Sequence, residues 1–245
     1  MLLAWILGFS LLGSLGAVGG AALLLAFPDD VRKRLVPALV AYAAGTLLGA
    51  AFLGMIPAAA ADTPVRAVSA AVLAGIVLFF VLERLVLWRH GHEAGGSPNP
   101  AAPLILVGDA FHNFVDGVVI AGAFLGSTSL GISVALSTVA HEVPQELGEF
   151  MVYLRSGFTR RRALLLNSVT SMTSVVGAIL GYFFLAEMHD VGPYLLTFAA
   201  AGFIYVALAD LVPVQRGKTS LRLTIVDLVL VAAGIGVIAL LARSH

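Results

Sequence analysis

"HEVPQELGEF", residues 141–150, places a histidine and three glutamates in a short stretch that follows the uncharged "GISVALSTVA" of 131–140. The whole chain is similarly apolar: 245 residues, 60% hydrophobic, 11% charged, mean hydropathy +1.00. A soluble globular chain has about 45–50% apolar and about 25% charged residues. The composition therefore describes a polytopic membrane protein, and 141–150 puts ionisable groups inside one of its spans. A net charge of zero gives no field to attract nucleic acid, so none is expected as a partner. Without cysteine there are no disulfides and no thiolate metal ligands. Arginine dominates over lysine, with only Lys33 and Lys218, and alanine is abundant. That usage suggests a bacterium with a GC-rich genome, and hence the bacterial inner membrane as the plasma membrane in question.

Crossing the hydrocarbon core takes roughly 20 apolar residues in a helix. Working outward from 141–150, runs of that kind are expected at 2–27, 36–60, 65–88, 103–125, 130–153, 163–186, 193–213 and 221–242. The longest polar break, "RHGHEAGGSPNPAAP" from position 89, leaves a loop at 89–102 on the cytoplasmic side. The fold class expected is an all-α membrane protein of eight transmembrane helices forming one domain over 1–245. With the N-terminus outside, twelve basic residues fall on the cytoplasmic side, among them Arg32, Lys33, Arg34, Arg160, Arg161 and Arg162. Only Arg66 and Arg243 fall outside, so the positive-inside rule gives N-out and C-out. Eight spans with both ends on one face divide as 3+2+3, the arrangement of an inverted repeat around a central helix pair.

That pair is polar. The fourth span carries Asp109, His112, Asn113 and Asp116, and the fifth carries His141, Glu142, Gln145, Glu146 and Glu149. An ionised acid at a helix centre costs about 2.5–3.5 kcal/mol even on the lenient insertion scale. Neither stretch holds a Lys or Arg to compensate, and a metal cation is the simplest counter-charge. His112 and Asp116 share a helix face, as do His141 with Gln145 and Glu142 with Glu146. At about 1.5 Å per residue, His112 lies roughly 23 Å below the centre of the "GSTS" turn (126–129) and His141 roughly 20 Å. Both helices thus reach one layer near mid-membrane. Pro144 should kink the fifth span and free the carbonyl of Ala140. Imidazole, carboxylate and amide donors suit divalent zinc first, then iron or manganese.

"HNFVDG" (112–117) and "HEVPQELGEF" (141–150) resemble the paired signatures of the ZIP (Zrt-, Irt-like) family of divalent-metal transporters. The resemblance extends through "LVGDAFHNFVDG" and "FAAAGFIYVALADLVP" (198–213) over essentially the whole chain. It implies an eight-helix fold, a metal site between the fourth and fifth helices, and uptake toward the cytosol of zinc, or of iron, manganese or cadmium. On that basis His112, Asn113, Asp116, His141, Glu142 and Gln145 occupy metal-site positions, with Glu146 the second acid of the motif. Zinc is then the transported ion and no organic cofactor is implied; a homodimer is compatible with the resemblance. Two departures stand out. Gly54 and Ala58 replace polar residues common in the second span of relatives. In the sixth span only Asn167 and hydroxyls stand where some relatives place a carboxylate for a second metal, so one site is expected rather than two.

Asp109, Glu149 and Asp210 fall toward the cytoplasmic ends of their spans and are candidates for an acidic exit path. His90 and His92 are candidate metal contacts in the loop. Two other functions compete. "HEVPQ" invites a zinc hydrolase reading, but HExxH chemistry needs a second histidine where this chain has Gln145. The same acids would also serve a cation channel. The expectation is a transporter and not an enzyme, working by alternating access of the two repeats.

Overall fold

In hydrocarbon every backbone N–H and C=O must be satisfied within the protein, so apolar runs of this length fold as helices. The computed structural model describes residues 1–61, 63–93, 101–187, 192–211 and 220–242. Among the described residues there is no strand. The elements are α1 (Leu2–Ala26), α2 (Asp29–Gly49), α3 (Ile56–Ala61), α4 (Val65–Glu93), α5 (Ala101–Gly126), α6 (Thr128–Arg155), α7 (Arg160–Ser171), α8 (Thr173–Glu187), α9 (Gly192–Tyr205) and α10 (Leu221–Ala242). A π-helical segment, Ala50–Met55, joins α2 to α3, and a second, Val206–Leu211, extends α9. The described helices thus make eight rods.

By length and composition alone, five stretches are suited to cross a bilayer: Leu2–Ala26, Lys33–Ala61, Arg160–Leu185, Gly192–Ala209 and Leu221–Ala242. Val65–Val81 is a shorter apolar helix. α5 and α6 stand outside that set, and they are the two that carry the polar residues.

Two local features differ from the sequence expectation. α4 continues to Glu93, so the backbone at His90 and His92 is helical where a loop was expected. A lone Gly91 does not stop a helix; the first strong breaker in the sequence is "GGSP" at 95–98. The side chains of His90 and His92, and residues 94–100, lie outside the described residues. The sixth span is two helices meeting at Met172. There the Ser171 and Thr170 hydroxyls bond back to the Asn167 carbonyl, and Thr173 bonds both the Thr170 carbonyl and, across the interface, that of Ala110. Such back-bonding bends helices. Pro144, where a kink is expected, lies inside α6, which is one helix from Thr128 to Arg155.

The π segments have a common sequence cause. Each is followed two residues later by proline, in "FLGMIP" (52–57) and "LADLVP" (208–213). Proline lacks an N–H and crowds the preceding turn. Widening that turn to i→i+5 spacing accommodates the missing bond.

The α5–α6 hairpin lies at the centre. α8 packs along α5, α1 along α6, α4 along α9 and α10 along α2. The α5–α8 crossing is close because glycine allows it: a Cβ at Gly117 would overlap the Ser174 carbonyl oxygen, and one at Gly177 the Phe114 carbonyl oxygen. Near the turn the hairpin contributes Val119, Ile120, Phe124 and Val134 to the main core. At its far end α6 stops in a Schellman motif: Phe158 N–H bonds the Tyr153 carbonyl, Gly157 N–H that of Leu154, and Gly157 takes φ 85°. Thr159 then caps α7 by accepting from the Arg162 N–H at 3.3 Å.

Candidate metal centre

The antiparallel hairpin places α5 and α6 face to face, and the i,i+4 pairs on each helix meet. His112 Nε2 and His141 Nε2 lie 3.2 Å apart. His112 Nε2 is 3.4 Å from Glu142 Oε1 and 4.0 Å from Asp116 Oδ2. His141 Nε2 is 3.3 Å from Asp116 Oδ2 and 3.5 Å from Glu142 Oε1. One donor atom from each of the four residues lies within 4.8 Å of every other. Asp116, His141 and Glu142 are buried and His112 is partly open.

These separations are informative. Four N and O donors about 2.0–2.1 Å from a tetrahedral zinc ion lie about 3.3–3.4 Å from one another. Four of the five distances here fall between 3.2 and 3.5 Å. The set is two imidazole nitrogens and two carboxylate oxygens, which is borderline-metal chemistry.

The environment also fixes the histidine. His141 Nδ1 lies 3.0 Å from the carbonyl of Ser137, one turn earlier, and donates to it; Nε2 then carries the lone pair and faces the set. Phe203 of α9 packs edge-on against the His141 ring, with centroids 5.7 Å apart. Asp116 Oδ2 and both oxygens of Glu142 are buried without a hydrogen-bond partner. Two acids with such orphaned oxygens need a cation or a proton to be tolerable at this depth.

The other expected residues form a second group. Asp109, Glu146 and Glu149 each place an oxygen within 4.8 Å of the others. Asn113 turns to them, its Nδ2 donating to Asp109 Oδ1 at 2.7 Å and to the Asp109 carbonyl at 3.3 Å. Gln145 Nε2 donates to Glu149 Oε1 at 3.3 Å. Ser171 Oγ donates to Glu146 Oε1, and Asn167 Nδ2 to the Glu146 carbonyl at 3.0 Å. The side chain of Asp210 lies outside the described residues. Ser137, Phe203 and Ser171 were not singled out from the sequence. Ser137 was open to discovery by its i−4 spacing from His141; Phe203 and Ser171 come from other helices and have no local signal.

A cavity of about 980 Å³ opens beside the hairpin turn, lined in part by Gly126, Ser127, Ser129, Ser133, Gly54 and Tyr194. Among the described residues, none that lines it is charged. Ser133, Ser137 and His141 follow one another at i+4 on α6, so one helix face leads from this cavity to the histidine.

A family model described as ZIP zinc transporter matches residues 89–242, more than half of the chain and including both acidic groups. The zinc transporter ZIP13 of Pongo abelii is 29% identical over 257 residues, covering 94% of this chain and 77% of that protein. The zinc transporter YKE4 of Saccharomyces cerevisiae is 29% identical over 220 residues, covering 76% and 62%. The zinc transporter foi of Drosophila melanogaster is 33% identical over 152 residues, 62% of this chain but only 21% of that longer protein.

Proposed function

The chain belongs to the ZIP zinc transporter family, and on that premise we propose that it carries a divalent cation, zinc first, toward the cytosol. Family members are transporters and not enzymes, and the apolar helices make this a multi-pass membrane protein. The observation that carries the proposal is the donor set of His112, Asp116, His141 and Glu142, with separations suited to a tetrahedral ion. Iron, manganese or cadmium would fit the same donors less selectively.

All eight rods cross the membrane in this reading, with both termini outside. The packing supports the 3+2+3 inverted repeat. Exchanging rod one with six, two with seven, three with eight and four with five turns the α1–α6 contact into α8–α5. It also turns α4–α9 into α10–α2. The two π segments exchange as well, since they lie in rods two and seven. In this orientation the neutral, hydroxyl-lined cavity faces outside and is the entrance. The ion sheds water along the Ser133–Ser137 face and is held by the two histidines and two acids. It then passes inward when the repeats move against each other. Asn113, Gln145 and Glu146 act beyond the first holding point, and Asp109, Glu149 and Asp210 mark the way out. The plasma membrane, here a bacterial inner membrane, is the placement this reading takes, and it rests on composition.

The zinc hydrolase reading gains nothing from the geometry. The amide of Gln145, at the second HExxH histidine position, is bonded to Glu149. A channel differs from a carrier in flux. Purified protein in sealed liposomes, loaded with a zinc-sensitive dye, tests the proposal: uptake is expected to saturate with zinc and to vanish in His112→Ala and His141→Ala. Wild-type rates from both folded variants would remove the assignment.

A further inference from the structure

We propose that Phe203 of α9 is a specificity-determining residue: it braces the His141 ring and so holds the four-donor cage at the size of zinc, against the larger cadmium ion. This rests on the metal-centre reading above and adds no ligand to it.

His141 is held by three contacts. Its side chain is 1% exposed, and its Nδ1 lies 3.0 Å from the Ser137 carbonyl. Ser137 is itself tied, its hydroxyl lying 2.8 Å from the Ser133 carbonyl and 3.1 Å from that of Thr46 on α2. The rings of His112 and Phe203 both meet the imidazole edge-on, with centroids 5.5 Å and 5.7 Å away, inside the range for such packing.

Phe203 belongs to a different part of the bundle. α9 packs along α4 and on the Ala50–Met55 π segment, so the phenyl ring comes to His141 from outside the α5–α6 hairpin. It is buried in the main core. Ala199 and Ala200, one turn before it, and Ala207, one turn after, are buried and reach no farther than Cβ. Phe203 thus supplies the bulk that a swinging imidazole would have to displace.

That bulk bears on ion size. Three of the separations that match a tetrahedral zinc ion are His141's own: 3.2 Å to His112, 3.3 Å to Asp116 and 3.5 Å to Glu142. In a tetrahedron, donor separations grow in proportion to bond length, so a larger ion needs all three to widen. His112, 28% exposed, has room to move. His141 can widen them only by pushing on Phe203 or releasing Ser137. Zinc and cadmium are both d¹⁰ ions, without a geometric preference from d electrons. They therefore differ at this site mainly in size. The chain has no cysteine, so no thiolate favours cadmium for its softness.

Uptake of zinc and of cadmium by the full chain in liposomes, each followed over a range of concentrations, gives kcat/KM for both ions. Residues supporting a metal ligand contribute about 10–100-fold to affinity, and Phe203→Ala is expected to lower zinc's kcat/KM by about tenfold relative to cadmium's. Phe203→Leu, a smaller loss of volume, should shift the ratio the same way by less, and covers the case in which the alanine variant does not fold. An unchanged ratio in the folded variants, whether both rates fall together or neither moves, overturns the proposal. Equilibrium binding of the two ions to the same proteins in detergent repeats the comparison without transport. If wild type moves neither ion, the transport reading fails, and the shift in binding preference still decides for or against Phe203.

Discussion

The α5–α6 hairpin and helix α10 are opposite solutions to living in hydrocarbon. α10 is apolar from Leu228 to Ala242 and buries only Gly234 and Ile238; Leu228, Val229 and Leu240 are largely exposed. The hairpin does the reverse and buries Asp109, Asp116, His141, Glu142 and Glu146. In a bilayer the outside is greasy, so exposure no longer separates polar from apolar residues. A buried ionisable group then reports on function more than on folding. The helix that looks most like a membrane span contributes least to the site, and the two that look least like one carry it.

The largest effect that should divide these regions is loss of uptake. His141→Ala removes a nitrogen that faces His112, Asp116 and Glu142 within 3.5 Å. Supporting residues alone cost about 10–100-fold in metal affinity when lost; a direct donor costs at least as much. Zinc flux into liposomes is expected to drop to the protein-free background with the folded yield unchanged. Flux within twofold of wild type would mean the hairpin's polar core is structural after all.

The second effect is on packing. Gly117→Val on α5 sets a side chain against the Ser174 carbonyl, which is backbone and cannot swing away. Gly236→Val on α10 meets nothing within 4 Å. Overpacking costs typically about 1–3 kcal/mol, and a backbone clash belongs at the upper end. Thermal unfolding in detergent should show a marked drop for the first and little change for the second. Equal shifts would show that α10 is as tightly enclosed as α5.

Much of this contrast was legible in the sequence. The His112/Asp116 and His141/Glu142 pairs, and the equal depth of the two helices, follow from the 3.6-residue repeat and a short turn. The assignment of Asn113 and Gln145 was less accessible. Their positions in the motifs imply the metal set, and their amide nitrogens donate to Asp109 and Glu149, a contact the motifs do not announce. Rotamer and partner, unlike spacing, are tertiary facts. The proposed inverted repeat likewise leaves little trace in sequence identity. "FLGMIP" and "LADLVP" share only a proline and apolar character, yet both carry a π segment two residues before that proline. The common element is a backbone event, which sequence identity does not measure.

A smaller effect is expected from pH. Ligation needs neutral imidazole and ionised carboxylate, so protons compete with the metal and apparent affinity falls as pH falls. Initial uptake rates at subsaturating zinc should decline from pH 7.5 to about 5.5, and saturating zinc should recover most of the loss. A rate that rises on acidification over the same interval would mean that protons act on a step other than binding.

The smallest effect is expected on α10 itself. Leu228 is 64% exposed, and Leu228→Ala exchanges one lipid-facing hydrocarbon group for another. In a water-soluble core, leucine to alanine costs about 2–5 kcal/mol because a cavity remains and apolar contact is lost. Lipid chains can follow the changed surface, so here the change should stay within about 0.5 kcal/mol, as at ordinary surface positions. Reconstituted protein unfolded by denaturant would measure it. A loss above 2 kcal/mol would require Leu228 to pack against protein rather than lipid. A face that is bare in a single chain would then be covered in the membrane, and the contrast between α10 and the hairpin would be a property of the isolated subunit only.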